Sequence, residues 1–117
     1  MPNAVNKNLR DLTTGERFWL VRTHYKWTQK EAAAELGVSE RAYNHIERDM
    51  KDAPKRPARG IKFSPGLLCA LARRRDGRNL RQLAKILKTG SHVTLLARER
   101  DNHPALVKAW EAQGYSF

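Results

Sequence analysis

The sequence is poor in several things. There is one cysteine, Cys69, in 117 residues. That excludes an internal disulfide and any cysteine-built zinc site, and it makes a reducing, cytoplasmic setting the expectation. No run approaches the ~18 consecutive apolar residues a membrane span needs, so no membrane partner is expected. The stretch Met1–Lys7 has no apolar core of the kind a secretion signal carries. Alternating strand patterns are nearly absent. Acid is scarce too: 12 Asp and Glu stand against 23 Lys and Arg, for a formal charge of +11. Catalytic patterns are missing as well. There is no glycine-rich phosphate loop, serine elbow or paired-acid motif, and His24, His45, His92 and His103 are too scattered for a metal site. The length is short for a nucleotide-fold or barrel enzyme. The expectation is a protein with no enzymatic activity, cofactor, metal or small-molecule ligand.

The positive charge points to a polyanion, most often nucleic acid. It is unevenly placed. Residues 1–51 carry a net +2, residues 52–63 +3, residues 64–102 +6, and residues 103–117 none. The middle stretch, with Pro54, Pro57 and Gly60, reads as a basic linker between two small helical units at 1–51 and 64–117. Fully extended, it would reach ~40 Å.

Helix signals are dense, and the fold class they predict is all-α. Thr13 and Glu16 have capping-box spacing before a helix whose Phe18, Val21 and Tyr25 would face inward. Leu9 and Leu12 form a turn expected to pack under that helix. Thr28 and Glu31 repeat the box before Ala32, Ala33 and Leu36. Gly37 supplies a left-handed stop and Ser39 the next N-cap, with Tyr43 and Ile46 inward. Farther on, Ser64-Pro65 opens a helix with Leu67, Leu68, Leu71 and Ala72 on its apolar side, and Asp76-Gly77 ends it. Asn79 caps a helix through Leu80, Leu83, Ala84 and Leu87. Ser91 caps one with Val93, Leu96 and Ala97 inward. Pro104 starts a last helix ended by Gly114.

The run TQKEAAAELGVSERAYNHIERD, Thr28 to Asp49, resembles the helix-turn-helix of the phage-repressor/Cro-like (XRE) family. A small residue is needed where the two helices cross, at Ala33, and a glycine at the tight turn, at Gly37. Val38, Tyr43 and Ile46 close the core between them. Family members usually carry a branched aliphatic where Tyr43 stands. The resemblance extends to Trp27 and to Arg22 and Glu47, which occupy the positions of a family ion pair. It covers roughly residues 14–49.

The resemblance implies a lambda-repressor-like bundle that sets its third helix in the major groove of double-stranded DNA. Ser39, Glu40, Arg41, Asn44 and His45 would then face bases. Arg41 suits guanine O6/N7, Asn44 adenine N6/N7 and Glu40 cytosine N4. Gln29 matches the family's phosphate-contacting glutamine, and Thr28 stands beside it at the helix N-terminus. In the linker, Lys55, Arg56 and Arg59 would contact phosphate. The segment also resembles loosely an AT-hook core, which would place it in the minor groove.

For the C-terminal unit two compatible readings stand. One is a second, diverged helix-turn-helix, since Leu80–Ala84 echoes the helix with Ala33 and Glu99-Arg100-Asp101 repeats Glu47-Arg48-Asp49. Phosphate contacts would come from Arg73, Arg74, Arg75, Arg78, Arg81, Lys85 and Lys88, with His92 and Thr94 also facing DNA. The other is dimerisation through an apolar tail surface of Leu106, Val107, Trp110, Tyr115 and Phe117, whose simpler alternative is local core packing. The function implied is a homodimeric, sequence-specific regulator, a repressor on an inverted repeat, of a type frequent in phages and mobile elements. Two alternatives come from other classes. One is an antitoxin-type interaction module that also binds its own operator; the other is an architectural DNA-binding protein of low specificity.

Overall fold

The N-cap residues set the helix starts. In the computed structural model, which describes residues 5–117, each cap residue is extended, and its side chain accepts an N–H from the helix's first turn. The first four residues, part of the stretch read for a secretion signal, lie outside the described residues. Seven helices and no strand are found among the described residues: α1 Thr14–His24, α2 Gln29–Leu36, α3 Glu40–Glu47, α4 Pro65–Asp76, α5 Leu80–Ile86, α6 His92–Arg100 and α7 Pro104–Ala112. Both capping boxes foreseen at Thr13 and Thr28 close, and Asn79 with Gln82 forms a third. No helix is long and apolar enough to cross a membrane.

The chain divides into two compact units. Leu12–Phe63 forms one, and Ser64–Phe117 joins the described residues up to Asp11 in the other. This differs from the division expected at 1–51, 52–63 and 64–117.

In the first unit, α3 packs on both α1 and α2. Phe18, Ala32, Ala33, Leu36, Tyr43 and Ile46 make the core, with Trp27, Val38 and Ala53 against it. Tyr43 takes the branched-aliphatic position as part of this core. Its ring meets Phe18 edge-on at 6.3 Å, and its hydroxyl donates to the Phe18 carbonyl at 3.3 Å. Tyr25, expected inward, is exposed and stacks on Trp27 at 4.8 Å. Gly37 takes a left-handed φ of +78° that a Cβ would strain. Residues 52–63 are not a free arm. Ala53 packs on the core, Phe63 returns to the His24 ring, and Pro57 and Ala58 line a groove with Phe18, Tyr25 and Trp27.

In the second unit, α4 packs on α6 and α7, and α5 on α6. Leu71, Leu83, Leu95, Leu106 and Trp110 are fully buried. Two expectations fail here. The tail is core, because Leu106, Trp110 and Tyr115 are buried and Tyr115 meets Trp110 edge-on at 5.0 Å. Only Val107 and Phe117 of the expected dimer patch keep partial exposure. On α6, Leu95 faces inward while Val93 and Leu96 are 65% and 38% exposed. A nine-residue helix with aliphatics on several sides takes the face that brings Glu99 to Arg73. The chain's beginning belongs here too. Leu9 is buried, its N–H bonds the Ser116 carbonyl at 2.9 Å, and Asn8 pairs with Ser116 as a parallel bridge.

Candidate nucleic-acid interface

The geometry of the first unit is fixed from behind α3. Glu47, in the last turn of that helix, is 3% exposed and takes two parallel bonds from Arg22 of α1. Nε reaches Oε2 at 2.5 Å and Nη2 reaches Oε1 at 3.1 Å. A bidentate guanidinium fixes orientation as well as charge. Arg22 also donates to the Trp27 carbonyl at 3.2 Å, tying the turn before α2 to the same point. From the start of α1, Gly15 abuts the same end of α3. A Cβ there would stand 2.6 and 2.7 Å from the Ile46 and Glu47 carbonyls, and its N–H bonds Asp49 at 2.8 Å. These contacts hold α3 against α1 and α2 while its other side stays open.

On that open side Ser39, Glu40 and Arg41 are exposed, and Asn44 and His45 are half-exposed. The Ser39 hydroxyl accepts the Ala42 N–H at 3.1 Å, so it also caps the helix. Asn44 donates to Gln29 Oε1 at 3.3 Å, and Gln29 donates to Glu47 Oε1 at 3.2 Å. One polar chain thus runs from Arg22 through Glu47 and Gln29 to Asn44. The side chain of Gln29, read as a phosphate contact, is engaged inside the unit and positions Asn44. Thr28 is exposed and caps α2. Arg48, the C-cap just past α3, is exposed, seven residues after Arg41 and four after Asn44, a spacing that continues the same helical face. Lys55, Arg56 and Arg59 are exposed along the 52–63 stretch, beside a groove shared with Thr13, Thr14 and Arg17.

The second unit sorts its arginines differently from the expectation. Arg73 is not a free phosphate contact. Its Nε and Nη2 bond Glu99 at 2.8 and 3.2 Å. Arg75 donates to the carbonyls of Asn6, Asn8 and Asp11 at 2.6–2.9 Å, holding the start of the chain. Arg74 is half-buried. Arg78 pairs with Asp76 at 3.3 Å while staying half exposed. Arg81, Lys85 and Lys88 remain exposed. A run of arginines cannot be divided by sequence alone, because the partners of Arg73 and Arg75 lie 26 to 69 residues away. Among the described residues no group of three or more His, Cys, Asp or Glu is placed to hold a metal.

Against protein-family models, residues 20–56 match the family described as Helix-turn-helix. This segment is a helix-turn-helix of the phage-repressor/Cro-like (XRE) type, the class of DNA-binding transcriptional regulators. The match begins inside α1, spans α2 and α3, and ends in the 52–63 stretch. Comparison with curated proteins and with solved structures gives no match.

Proposed function

We propose that the protein is a sequence-specific repressor that seats α3 in the major groove of an operator and blocks polymerase there. The observation that carries this reading is the polar outer face of α3. Arg41, Asn44, His45 and Arg48 share an open side of a helix locked from behind by Glu47 and Gly15. A rigid helix presenting a guanidinium and an amide suits base-edge recognition. Arg41 reads guanine and Asn44 reads adenine, exchanging its bond to Gln29 for the base. Glu40 and Ser39 stand at the helix start, nearest the base edges. Thr28, Lys55, Arg56 and Arg59 hold phosphates on either side.

One eight-residue helix covers few base pairs. Two chains on an inverted repeat, with half-sites about one helical turn apart, supply the remaining specificity. The buried tail residues Leu106, Trp110 and Tyr115 do not form that interface. A regulator of this kind suits a phage or mobile element. Binding-site selection followed by footprinting tests the reading. A short palindromic consensus with sharp protection supports it. Smooth coverage without preferred sites replaces it with an architectural role, and a co-purifying toxin replaces it with an antitoxin.

A further inference from the structure

The second unit repeats the first at the level of its joints. The N-caps Thr13, Thr28 and Ser39 recur as Ser64, Asn79 and Ser91, at offsets of 51, 51 and 52 residues. The left-handed residues Lys26, Gly37 and Asp49 recur as Gly77, Lys88 and Asn102. The Arg22–Glu47 pair recurs as Arg73–Glu99. Gly15 against α3, with its N–H on Asp49, recurs as Gly66 against α6, with its N–H on Asn102 at 2.8 Å. The core positions Ala33, Leu36 and Tyr43 recur as Ala84, Leu87 and Leu95. A shared hydrophobic pattern could arise by chance among small helical bundles. A shared set of caps, stops, close glycine and ion pair in one order does not. The family match stops at residue 56 and does not reach this unit.

On balance the second unit has become more basic. Where α2 and α3 carry Glu31, Glu35 and Glu40, the second unit carries Gln82, Ile86 and His92. Where the first has Trp27, Ala34 and Gly37, the second has Arg78, Lys85 and Lys88. Those three acids are gone, and three cations are gained against the one lost where Val93 replaces Arg41. Arg78, Arg81 and His92 line one groove of about 600 Å³ between the starts of α5 and α6. Meanwhile the two positions proposed to read guanine and adenine have lost their hydrogen-bonding groups. Arg41 becomes Val93 and Asn44 becomes Leu96, both exposed.

We propose that residues 64–117 are a second helix-turn-helix that binds duplex DNA through its backbone without reading sequence. Arg78, Arg81, Lys85, Lys88 and His92 hold phosphates. Val93 and Leu96 face the groove with no hydrogen-bonding group to offer base edges. The chain then carries a reader and an anchor. A second copy of this chain is the other candidate for the apolar face of α6. It would bring two cationic rims together, whereas DNA complements them.

This inference rests on the DNA-binding reading of the first unit, and the test separates the two. Full-length wild type, Arg41→Ala and the triple variant Arg81→Ala/Lys85→Ala/Lys88→Ala are titrated with the selected operator and a scrambled duplex across a KCl series. Circular dichroism confirms folding; alanine suits the two exposed α5 sites, and Lys88→Asn replaces the left-handed Lys88 if the triple variant is misfolded. The anchor predicts that the triple variant weakens both duplexes by the same factor, roughly tenfold or more at about 0.1 M salt. The salt slope should fall by about 0.9 for each phosphate that no longer meets a cation. Arg41→Ala should weaken the operator alone. Unchanged scrambled-duplex affinity and salt slope in the triple variant overturn the anchor. So does a loss confined to the operator. A change in oligomeric state on Leu96→Asp, with DNA affinity intact, gives the face to a second copy. If wild type shows no operator preference but the triple variant still loses affinity, the anchor stands and the reader falls.

Discussion

Replacing Glu47 by alanine is the sharpest perturbation of the reading head. The carboxylate is 3% exposed, and the bonds it accepts include two from Arg22 and one from Gln29. Removing it strands a guanidinium that is 19% exposed and an amide that has lost its acceptor. Breaking a fully buried pair costs about 3–5 kcal/mol. Water reaches part of Arg22, so a somewhat lower cost applies, about 2–4 kcal/mol. The Leu12–Phe63 unit spans 52 residues, and at roughly 0.05–0.15 kcal/mol per residue its whole stability is about 3–8 kcal/mol. Glu47→Ala therefore removes about half of it. Urea unfolding followed by circular dichroism, with tryptophan emission from Trp19 and Trp27, should show the first unit melting early. Asp101→Ala is the internal control: its pair with Arg100 is 3.6 Å long and well exposed, so its loss should stay within about 0.5 kcal/mol. Arg22→Met with Glu47→Leu should recover much of the deficit, since a matched apolar pair leaves no stranded charge. If Glu47→Ala shifts the midpoint no more than Asp101→Ala, the pair does not fasten α3 and the argument for a rigid reading helix fails.

Three further outcomes follow from the geometry. Alanine at Gly66 puts a Cβ 1.8 Å from the Glu99 carbonyl, whereas at Gly37 it meets nothing within 4 Å and strains only φ. Thermal melts should therefore rank Gly66→Ala well below Gly37→Ala, whose cost is about 1–2 kcal/mol; equal melting temperatures would refute the close approach. Cys69 is buried, and burial followed by the Glu99 charge pushes its thiol from 9.0 up to about 12. The unfolded thiol ionises first as pH rises, so this group's contribution is constant below about pH 9 and lowers stability towards pH 12 by up to ~1.4 kcal/mol per pH unit. Cys69→Ala should remove that contribution and leave a shallower alkaline fall in the second unit, where burial also raises Tyr115, and native Cys69 should resist thiol reagents at about pH 8. Arg75→Ala should loosen residues 5–11, read as faster amide exchange at Leu9 and Ser116, without changing the salt dependence of DNA binding; a shallower salt slope would return Arg75 to the phosphate contacts.

Local chemistry was legible in the sequence wherever one turn of helix decides it. The caps at Thr13, Thr28, Ser39, Ser64, Asn79 and Ser91, the stop at Gly37 and the family ion pair between Arg22 and Glu47 all lie where residue types and spacing put them. What failed needed distant partners. Arg73 and Arg75 looked like free cations because Glu99 and the carbonyls of residues 6–11 are far off in sequence. Leu106, Trp110 and Tyr115 looked like a surface because α4 and α6, which pack on α7, precede it in the chain and α4 does so by tens of residues. Val93 and Leu96 looked buried because helical spacing gives α6 more than one plausible apolar face, and the Arg73–Glu99 pair helps select among them. Of the candidate interface, the residues of α3 were named from the resemblance. The tie from Asn44 through Gln29 to Glu47 was not, since it depends on how two helices cross.

The central claim is that α3 reads base sequence through Arg41 and Asn44. Its most direct test is binding-site selection with wild type and with Arg41→Ala, each scored for information content at every base position. The account predicts a short consensus for wild type and, for Arg41→Ala, loss of preference at one guanine in each half-site with a cost of roughly 1–3 kcal/mol on the selected operator. Uniform weakening on every sequence, with the consensus unchanged, would make Arg41 a phosphate contact and contradict the account.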